Sequence, residues 1–340
     1  YRALESSLDL SPGQVDLSTL PIFVLANLAA GLTSLIPDVD LRRPESVDAA
    51  RVVRRILDHG ATRLGGSPAL FECLIAYCAK ARIALPQVER IYTGGGPVYP
   101  HVLAEMSRVA PSSRITAVYG SSEAEPIACV DHREVCDVAS VSNASQRGLL
   151  AGRPVPMIQL RILRNEWGKV VGPFTSRTFD AACEPAGVPG EIVVSGSHVL
   201  SGYLDPSDDS ETKFDVENVR WHRTGDAGYL DREGRLWLLG RCSGCIHDEF
   251  GTLYPALVEE VARCNSHVRQ ATVIAVKGRR VLVVEPRSGR LPKSQLAALH
   301  GSLDFARIQR VRVLRRIPTD SRHNAKIDYA ALRCLLEAAR

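Results

Sequence analysis

Apolar residues recur at helical spacing in "VDAARVVRRILDHG" (47–60) and "PALFECLIAYCAKA" (68–81), and "TRLGG" between them reads as a short strand ending in glycines. A strand "VERIYTGGG", a helix "PHVLAEMSRVA" and a strand "RITAVYG" follow. Alternation of this kind predicts an α/β fold, with a parallel sheet covered by helices. The apolar run "IFVLANLAAGLTSLI", from Ile22 to Ile36, reads as core. It is too short to span a bilayer and carries Asn27, Thr33 and Ser34.

Beyond about residue 150 the pattern shifts to strands: "MIQLRIL", "GEIVVSG" and "DAGYLDREGRLWLLG", the last with a hairpin-type turn at "DREG". It shifts again near Cys242. A helix "PALVEEVARC", strands "QATVIAV" and "RVLVVEP", a helix "KSQLAALHGSL", a strand "RIQRVRVLRRI" and a helix "DYAALRCLLEAAR" predict a small α+β unit. The expected division is a large unit over 1–241 and a small one over 242–340. Neither internal repeats nor low-complexity tracts occur.

Composition narrows the class. The chain has 340 residues, 45% hydrophobic and 24% charged, which fits an ordinary globular protein able to bury a substantial core. A net charge of +4 over 42 basic and 38 acidic residues, with no block of like charge, argues against a nucleic-acid partner. Nine irregularly spaced cysteines fit reduced thiols in a cytoplasmic setting rather than a disulfide framework. Cys242, Cys245 and nearby His247 raise a zinc or redox reading, yet no second ligand pair follows. The residues before Ile22 include Glu5, Asp9 and Asp16 and no basic cluster, unlike a signal peptide.

The stretch "ITAVYGSSEAEPIA" (115–128) carries two readings. Ser122 with Glu125 three residues on matches a capping box at a helix start, but Pro126 opposes a long helix there. Alternatively "RITAV" runs into a polar loop, and loops leaving the carboxyl ends of sheet strands are where ligands bind in α/β proteins. "TGGGP" (93–97) is either a tight turn or bare backbone that lets a flat ring or phosphate approach. In "WHRTGDAGYLD", Asp226 is placed in a glycine-flanked loop before a strand, as a turn residue or an acceptor for a vicinal diol. Arg241 ends the strand in "LLGRCSG", as a surface cation or a fork for ribose or phosphate oxygens. Lys326 lies in a loop before the last helix, far in sequence from the others.

Taken in order, "IYTGGGPV", "AVYGSSEAEP", "GEIVVSGSHVLSGYL", "WHRTGDAGYLDREGRLWLLGR" and "NAKID" resemble the core motifs of the adenylate-forming superfamily. That superfamily includes acyl- and aryl-CoA synthetases, peptide-synthetase adenylation domains and firefly luciferase. "SPALFECLIAYC" and "DSRHNAKI" are most similar to the olefin β-lactone synthetases, which adenylate a β-hydroxy fatty acid and close it to a β-lactone. The resemblance implies a large adenylation domain with a β-rich subdomain, then a C-terminal lid domain. It implies ATP and Mg²⁺, a small-molecule carboxylic acid as substrate, and CoA in those members that form thioesters.

The same resemblance assigns roles. Gly94, Gly95 and Gly96 would line an adenine slot, with Tyr119 against the base, and Gly120 would also bind the nucleotide. Glu123 would hold Mg²⁺, and Ser121 and Ser122 would offer hydroxyls to phosphate or acyl oxygens. Asp226 would take the ribose hydroxyls, and Arg241 ribose or phosphate. Lys326 would meet the charge that builds at the carboxylate and α-phosphate. The family's phosphate loop, placed upstream of "LPIFVL", is not in this sequence, which starts at Tyr1 and reads as truncated at its N-terminus. After Arg241, Ser243 and Gly244 stand where a hinge residue is usual, His247 replaces a common lysine and Phe250 a common glycine, which puts a CoA-dependent second step in doubt. The competing readings are an acyl-CoA ligase and a non-catalytic remnant or binding module. A dinucleotide oxidoreductase is disfavoured, because no G-x-G-x-x-G opens a helix.

Overall fold

The computed structural model of the chain describes residues 1–40, 47–139, 147–319 and 327–338. Helix α1 (Arg2–Leu8) leads into strand β1 (Val15–Ser18), α2 (Pro21–Ala29) and β2 (Thr33–Leu35). Then come α3 (Ala49–Asp58), β3 (Arg63–Gly66), α4 (Pro68–Ala81), β4 (Arg90–Gly94), α5 (Pro100–Val109) and β5 (Arg114–Ser121). Strands β2, β1, β3, β4 and β5 lie side by side and pair parallel, because a helix carries the chain back between successive strands. The predicted helix-covered parallel sheet is present.

Local chemistry sets where these helices begin. The Asp48 side chain accepts the Arg51 N–H, and Ser67 accepts that of Leu70. Pro68 and Pro100 occupy first turns, where a missing N–H is harmless. The inward face of α4 then carries Leu70, Phe71, Leu74, Ile75 and Cys78, which pack with Val52, Val53 and Ile56 of α3 and with Leu64, Ile91 and Ile115 of the strands. Each such side chain contributes about 1.5–3 kcal/mol on burial. Across the sheet, Leu4 and Leu8 of α1 pack with Phe23, Ala26, Tyr92 and Val118. There the buried Arg63 donates to the carbonyls of Leu8 and Asp9 at 2.6 and 3.0 Å, satisfying the end of α1.

Two expectations change. The run from Ile22 to Ile36 is core on one face only: Phe23 and Ala26 are buried, whereas Ile22, Leu25, Leu28 and Ile36 are 46, 64, 76 and 62% exposed. A helix apolar all round shows one side outward unless a further layer covers it. Secondly, β5 is followed by neither a helix nor a long polar loop. Strand β6 (Ala124–Asp131) returns antiparallel, with Ser121 opposite Ala124 and Tyr119 opposite Ala128, so Ser122 and Glu123 form a hairpin tip. Buried positions at Ala124, Ile127, Ala128 and Val130 supply the apolar content that makes this segment a strand.

Helix α6 (His132–Ala139) and strands β7 (Leu149–Pro154) and β8 (Ile158–Leu163) follow, then α7 (Ser176–Ala182), β9 (Gly190–Gly196), α8 (Asp209–Thr212), β10 (Lys213–Val216), β11 (Val219–Leu230) and β12 (Leu236–Arg241). Strand β7 pairs with β6 on one side and β12 on the other, so one twelve-stranded sheet runs β2-β1-β3-β4-β5-β6-β7-β12-β11-β9-β8, with β10 on β11. The "DREG" segment turns β11 into β12, as its composition predicts.

The sheet ends at Arg241. Beyond it, β13 (Ile246–Asp248) and β14 (Gly251–Leu253) form a hairpin, followed by α9 (Pro255–Arg263), β15 (Val268–Val276), β16 (Arg279–Pro286), α10 (Lys293–Ser302), β17 (Arg310–Val313) and α11 (Tyr329–Ala338). Strands β15, β16 and β17 make a separate sheet with apolar clusters of its own. The strand expected over 307–317 pairs only at Arg310–Val313. Among the described residues no helix is long and apolar enough to cross a membrane.

Beneath the end of the sheet, Arg223 on β11 and Glu191 on β9 form an ion pair with Nη2–Oε2 at 2.7 Å, the side chains 2% and 0% exposed. The guanidinium also donates to the Lys169 carbonyl at 2.6 Å and lies 5.2 Å from the Trp167 ring centre. Removing one partner of a buried pair strands a charge, so Glu191→Ala is expected to lower stability by about 3–5 kcal/mol in urea unfolding. A loss under about 1 kcal/mol would show the pair behaving like an exposed one.

Candidate functional site

A cleft opens where β4, β5 and β12 end and β11 passes through Asp226, lined by Gly95, Gly96, Tyr119, Gly120, Asp226 and Arg241 from the sheet. Arg263, Gln270, Ile327 and Tyr329 face them from the far side. At its centre the Tyr119 hydroxyl donates to Asp226 Oδ2 at 2.9 Å. Arg241 Nη1 stands 3.1 Å from Asp226 Oδ1 and donates to the Thr224 carbonyl at 2.9 Å. Burial, and then the negative Asp226 beside it, pushes the Tyr119 phenol well up, so it stays a donor at all working pH values.

Asp226 is not in a loop, as its glycine neighbours suggest, but within β11, with its Cα opposite that of Arg241. The β9–β11 register shifts between Arg223 and Ala227, and a shift of this kind re-aims a side chain. Gly225, with φ +69°, supplies the left-handed backbone needed there. Thr224 steadies the distortion: its hydroxyl donates to the Ile192 carbonyl at 2.9 Å and accepts the Asp226 N–H at 3.1 Å.

The glycines after β4 divide. Gly94 packs on β5, where a Cβ would lie 2.5 Å from the Val118 carbonyl oxygen. Gly95, at φ +76°, and Gly96 reach the cleft. Bare backbone beside an aromatic ring forms a flat apolar slot.

Ser121, Ser122 and Glu123 lie beside the cleft rather than in its lining. Glu123 Oε1 accepts the Tyr203 hydroxyl at 2.9 Å. Burial pushes the Glu123 carboxyl up, but that hydrogen bond and further donors outweigh it and hold the acid below its ordinary range. Behind it, burial followed by the Lys213 charge pushes His222 down to about 4, leaving the imidazole neutral. The Lys213 ammonium donates to the Leu200 carbonyl and stands 5.3 Å from the Tyr203 ring centre. Tyr203, Lys213 and His222 were not singled out from the sequence. Tyr203 and His222 do lie inside "GEIVVSGSHVLSGYL" and "WHRTGDAGYLD", but only the fold shows which positions in those segments turn toward Glu123.

Lys326 lies outside the described residues; Ile327, the next residue, lines the cleft. The second unit is held against the sheet by Arg263, which pairs with Glu72 of α4 at 3.3 Å and stacks 4.4 Å from the Tyr99 ring centre. Beside Arg263, half-buried Glu259 accepts from Thr272 at 2.9 Å and Tyr329 at 3.2 Å. Burial pushes the Cys242 thiol up and that of Cys245 up to about 12, far from thiolate character, and His247 shares a 3.0 Å hydrogen bond with Thr252. Among the described residues no group of three or more His, Cys, Asp or Glu could hold a metal ion.

With this geometry in hand, residues 7–204 match the family model described as AMP-binding enzyme. The chain belongs to that family. It is 32% identical, over 95% of its length, to olefin β-lactone synthetases of Xanthomonas campestris and Stenotrophomonas maltophilia. It is 26% identical, over 88% of its length, to the 2-succinylbenzoate–CoA ligase of Bacillus pumilus. The chain spans about 60% of the length of the two synthetases. Among solved structures, the amide bond synthetase McbA from Marinactinospora thermotolerans superposes with a TM-score of 0.76 at 24% identity, covering 98% of this chain and 64% of that one. The O-succinylbenzoate CoA synthetase of Bacillus subtilis in complex with ATP and magnesium gives 0.74 at 22%, covering 99% and 64%. Both likenesses identify the adenylation-type fold.

Asp226→Ala is expected to weaken AMP binding at least about tenfold, since hydrogen bonds to a charged group are worth about 1.5–3 kcal/mol. Calorimetric titration with AMP, together with a thermal melt to exclude unfolding, checks this. An unchanged dissociation constant would remove Asp226 from the nucleotide site.

Proposed function

We propose that the chain carries the adenylation chemistry of a ligase that activates a hydrophobic carboxylic acid, fatty or 3-hydroxy fatty, with ATP. The convergence of Tyr119, Asp226 and Arg241 within 3.1 Å, beside Gly95 and Gly96, is the observation that carries this reading. The adenine lies between the glycine backbone and Tyr119, Asp226 accepts the ribose hydroxyls, and Arg241 faces ribose or phosphate oxygens. Residues 1–241 form the adenylation core and 242–340 the lid.

The substrate carboxylate attacks the α-phosphorus in line and pyrophosphate leaves, giving the acyl adenylate. Positioning and charge stabilisation account for most of the rate. Lys326 supplies positive charge as negative charge builds on the carboxylate and α-phosphate, a contribution of several kcal/mol in a site shielded from water. Glu123, held ionised, would hold Mg²⁺, a hard cation that prefers oxygen ligands. Mg²⁺ bound there would supply neutralisation of phosphate charge.

In the second step the substrate's own 3-hydroxyl attacks the acyl carbon, losing its proton as AMP departs, and a β-lactone results. Identity to the two β-lactone synthetases supports this choice, and an intramolecular hydroxyl needs no thiol tunnel. The alternative, transfer to CoA, draws on the weaker likeness to 2-succinylbenzoate–CoA ligases. A non-catalytic binding module is the reading of a different class, motivated by Ser243, Gly244, His247 and Phe250 standing where other residues are usual.

Incubating the chain with ATP, Mg²⁺ and a 3-hydroxy fatty acid is expected to release pyrophosphate, and Lys326→Ala to slow release about 100-fold or more. A lactone formed without CoA supports the first reading, and a thioester formed only with CoA supports the second. AMP binding with no pyrophosphate release would leave the binding module.

A further inference from the structure

The near-neutral total charge divides unevenly along the chain. Residues 1–241 carry 25 basic and 29 acidic side chains, whereas 242–340 carry 17 basic and 9 acidic, a net charge of −4 against +8. The excess is concentrated further, because residues 277–316 hold 11 basic and two acidic residues. One of those acids, Glu285, is buried and pairs with Arg269 at 2.8 Å, which leaves Asp304 as the exposed acid of the segment. Lys277, Arg279, Arg307, Arg310, Arg312 and Arg315 are exposed, and among the described residues their side chains have no ion-pair or hydrogen-bond partner.

The fold gathers these six on one edge. Among the described residues β17 pairs only with β16, so it is the outer strand of the β15-β16-β17 sheet. Arg310 lies opposite Val281 and Arg312 opposite Val283, on the same face as Arg279, two residues before Val281. Gln309 donates its N–H to the Arg280 carbonyl at 3.0 Å, which brings Arg307 beside the β15–β16 turn that carries Lys277. The residues of this sheet that line the cleft, Gln270 and Ala271, belong to β15 at the opposite edge, and none of the six basic residues lines it. Charge on an outer strand also keeps sheets from joining edge to edge, but a charge or two of either sign serves that purpose. Six of one sign without counter-charges make a surface for an anion.

We infer that this basic edge docks on an anionic lipid surface and so holds the cleft near a bilayer in which a hydrophobic acid and its product dissolve. The choice of lipid among anionic partners rests on the proposed reading that the substrate is a hydrophobic acid. Each Lys or Arg held close to acidic headgroups adds attraction. Val313, on the same strand and 44% exposed, is an apolar side chain able to enter the headgroup layer. A nucleic acid is served less well: the one Phe, Tyr or Trp between 277 and 316, Phe305, packs against the core cluster beneath, so bases have no ring to stack on.

The test is co-sedimentation of the chain with phosphatidylcholine vesicles and with vesicles in which one lipid in three is phosphatidylglycerol. The wild type is expected to bind the anionic vesicles at least about tenfold more strongly than the neutral ones, and to be released at about 0.5 M NaCl. Arg310→Gln with Arg312→Gln should weaken that binding about tenfold. Arg54→Gln with Arg108→Gln, which removes the same charge from α3 and α5, should leave it within about twofold. A thermal melt shows whether each variant folds, and Lys277→Gln with Arg279→Gln supplies a second variant of the same edge. The inference is overturned if neutral vesicles bind equally well, if the α3 and α5 substitutions cost as much as those on the edge, or if a DNA duplex binds and neither vesicle does. Vesicle binding needs neither ATP nor acid, so its failure leaves pyrophosphate release untouched, whereas vesicle binding without pyrophosphate release would count against the adenylation reading instead.

Discussion

A single carboxylate, Asp226, is shared between the phenol of Tyr119 and the guanidinium of Arg241, and the site is organised by that sharing. Tyr119 and Asp226 are 107 positions apart in the chain, on strands from the parallel and antiparallel halves of the sheet. They meet because β6 and β7 bridge the two halves without a break. Hydrogen bonds to an ionised group are shorter and roughly twice as strong as neutral ones, so the pair closes the end of the sheet and leaves polar atoms directed into the cleft. Arg241 is the last residue of that sheet, so what fixes Asp226 also fixes the end of β12.

The rest of the site follows from how strands end. Gly94 must be glycine for β4 to approach β5, and the chain is then free to present Gly95 and Gly96 as an open wall. The hairpin at Ser122 and Glu123 turns back at once, which leaves Glu123 half-buried at a tip while Tyr203 secures it from the side. Lys213 and His222 complete a partly desolvated corner in which the acid stays charged and the imidazole neutral. Across the cleft Arg263 pairs with Glu72 and stacks on Tyr99, and Tyr254 and Leu257 pack with Leu239 of β12, while the cleft between stays open.

Much of this was legible in the residues. Period and caps place α3, α4 and α5 and the strands between them, since each helix carries an uninterrupted apolar stripe behind a polar cap or a proline. The ordered motifs brought Gly95, Tyr119, Asp226 and Arg241 to attention, and these the fold gathers. What was not legible depends on tertiary pairing. A capping pattern at Ser122 competes with strand pairing of the next segment, and pairing wins because it buries Ile127 and Val130. Glycines around Asp226 signal a loop or a distorted strand equally well. Nothing local distinguishes the exposed side of α2 from its buried side, nor marks Lys213 as a neighbour of Glu123.

Convergence on one nucleotide is tested most directly by a crystal structure of the chain with AMP. The adenine ring is expected between the Gly95–Gly96 backbone and Tyr119, with both ribose hydroxyls on Asp226 and Arg241 beside the ribose or phosphate. AMP bound elsewhere, with the Tyr119–Asp226–Arg241 contacts unchanged and the slot filled only by water, would contradict it.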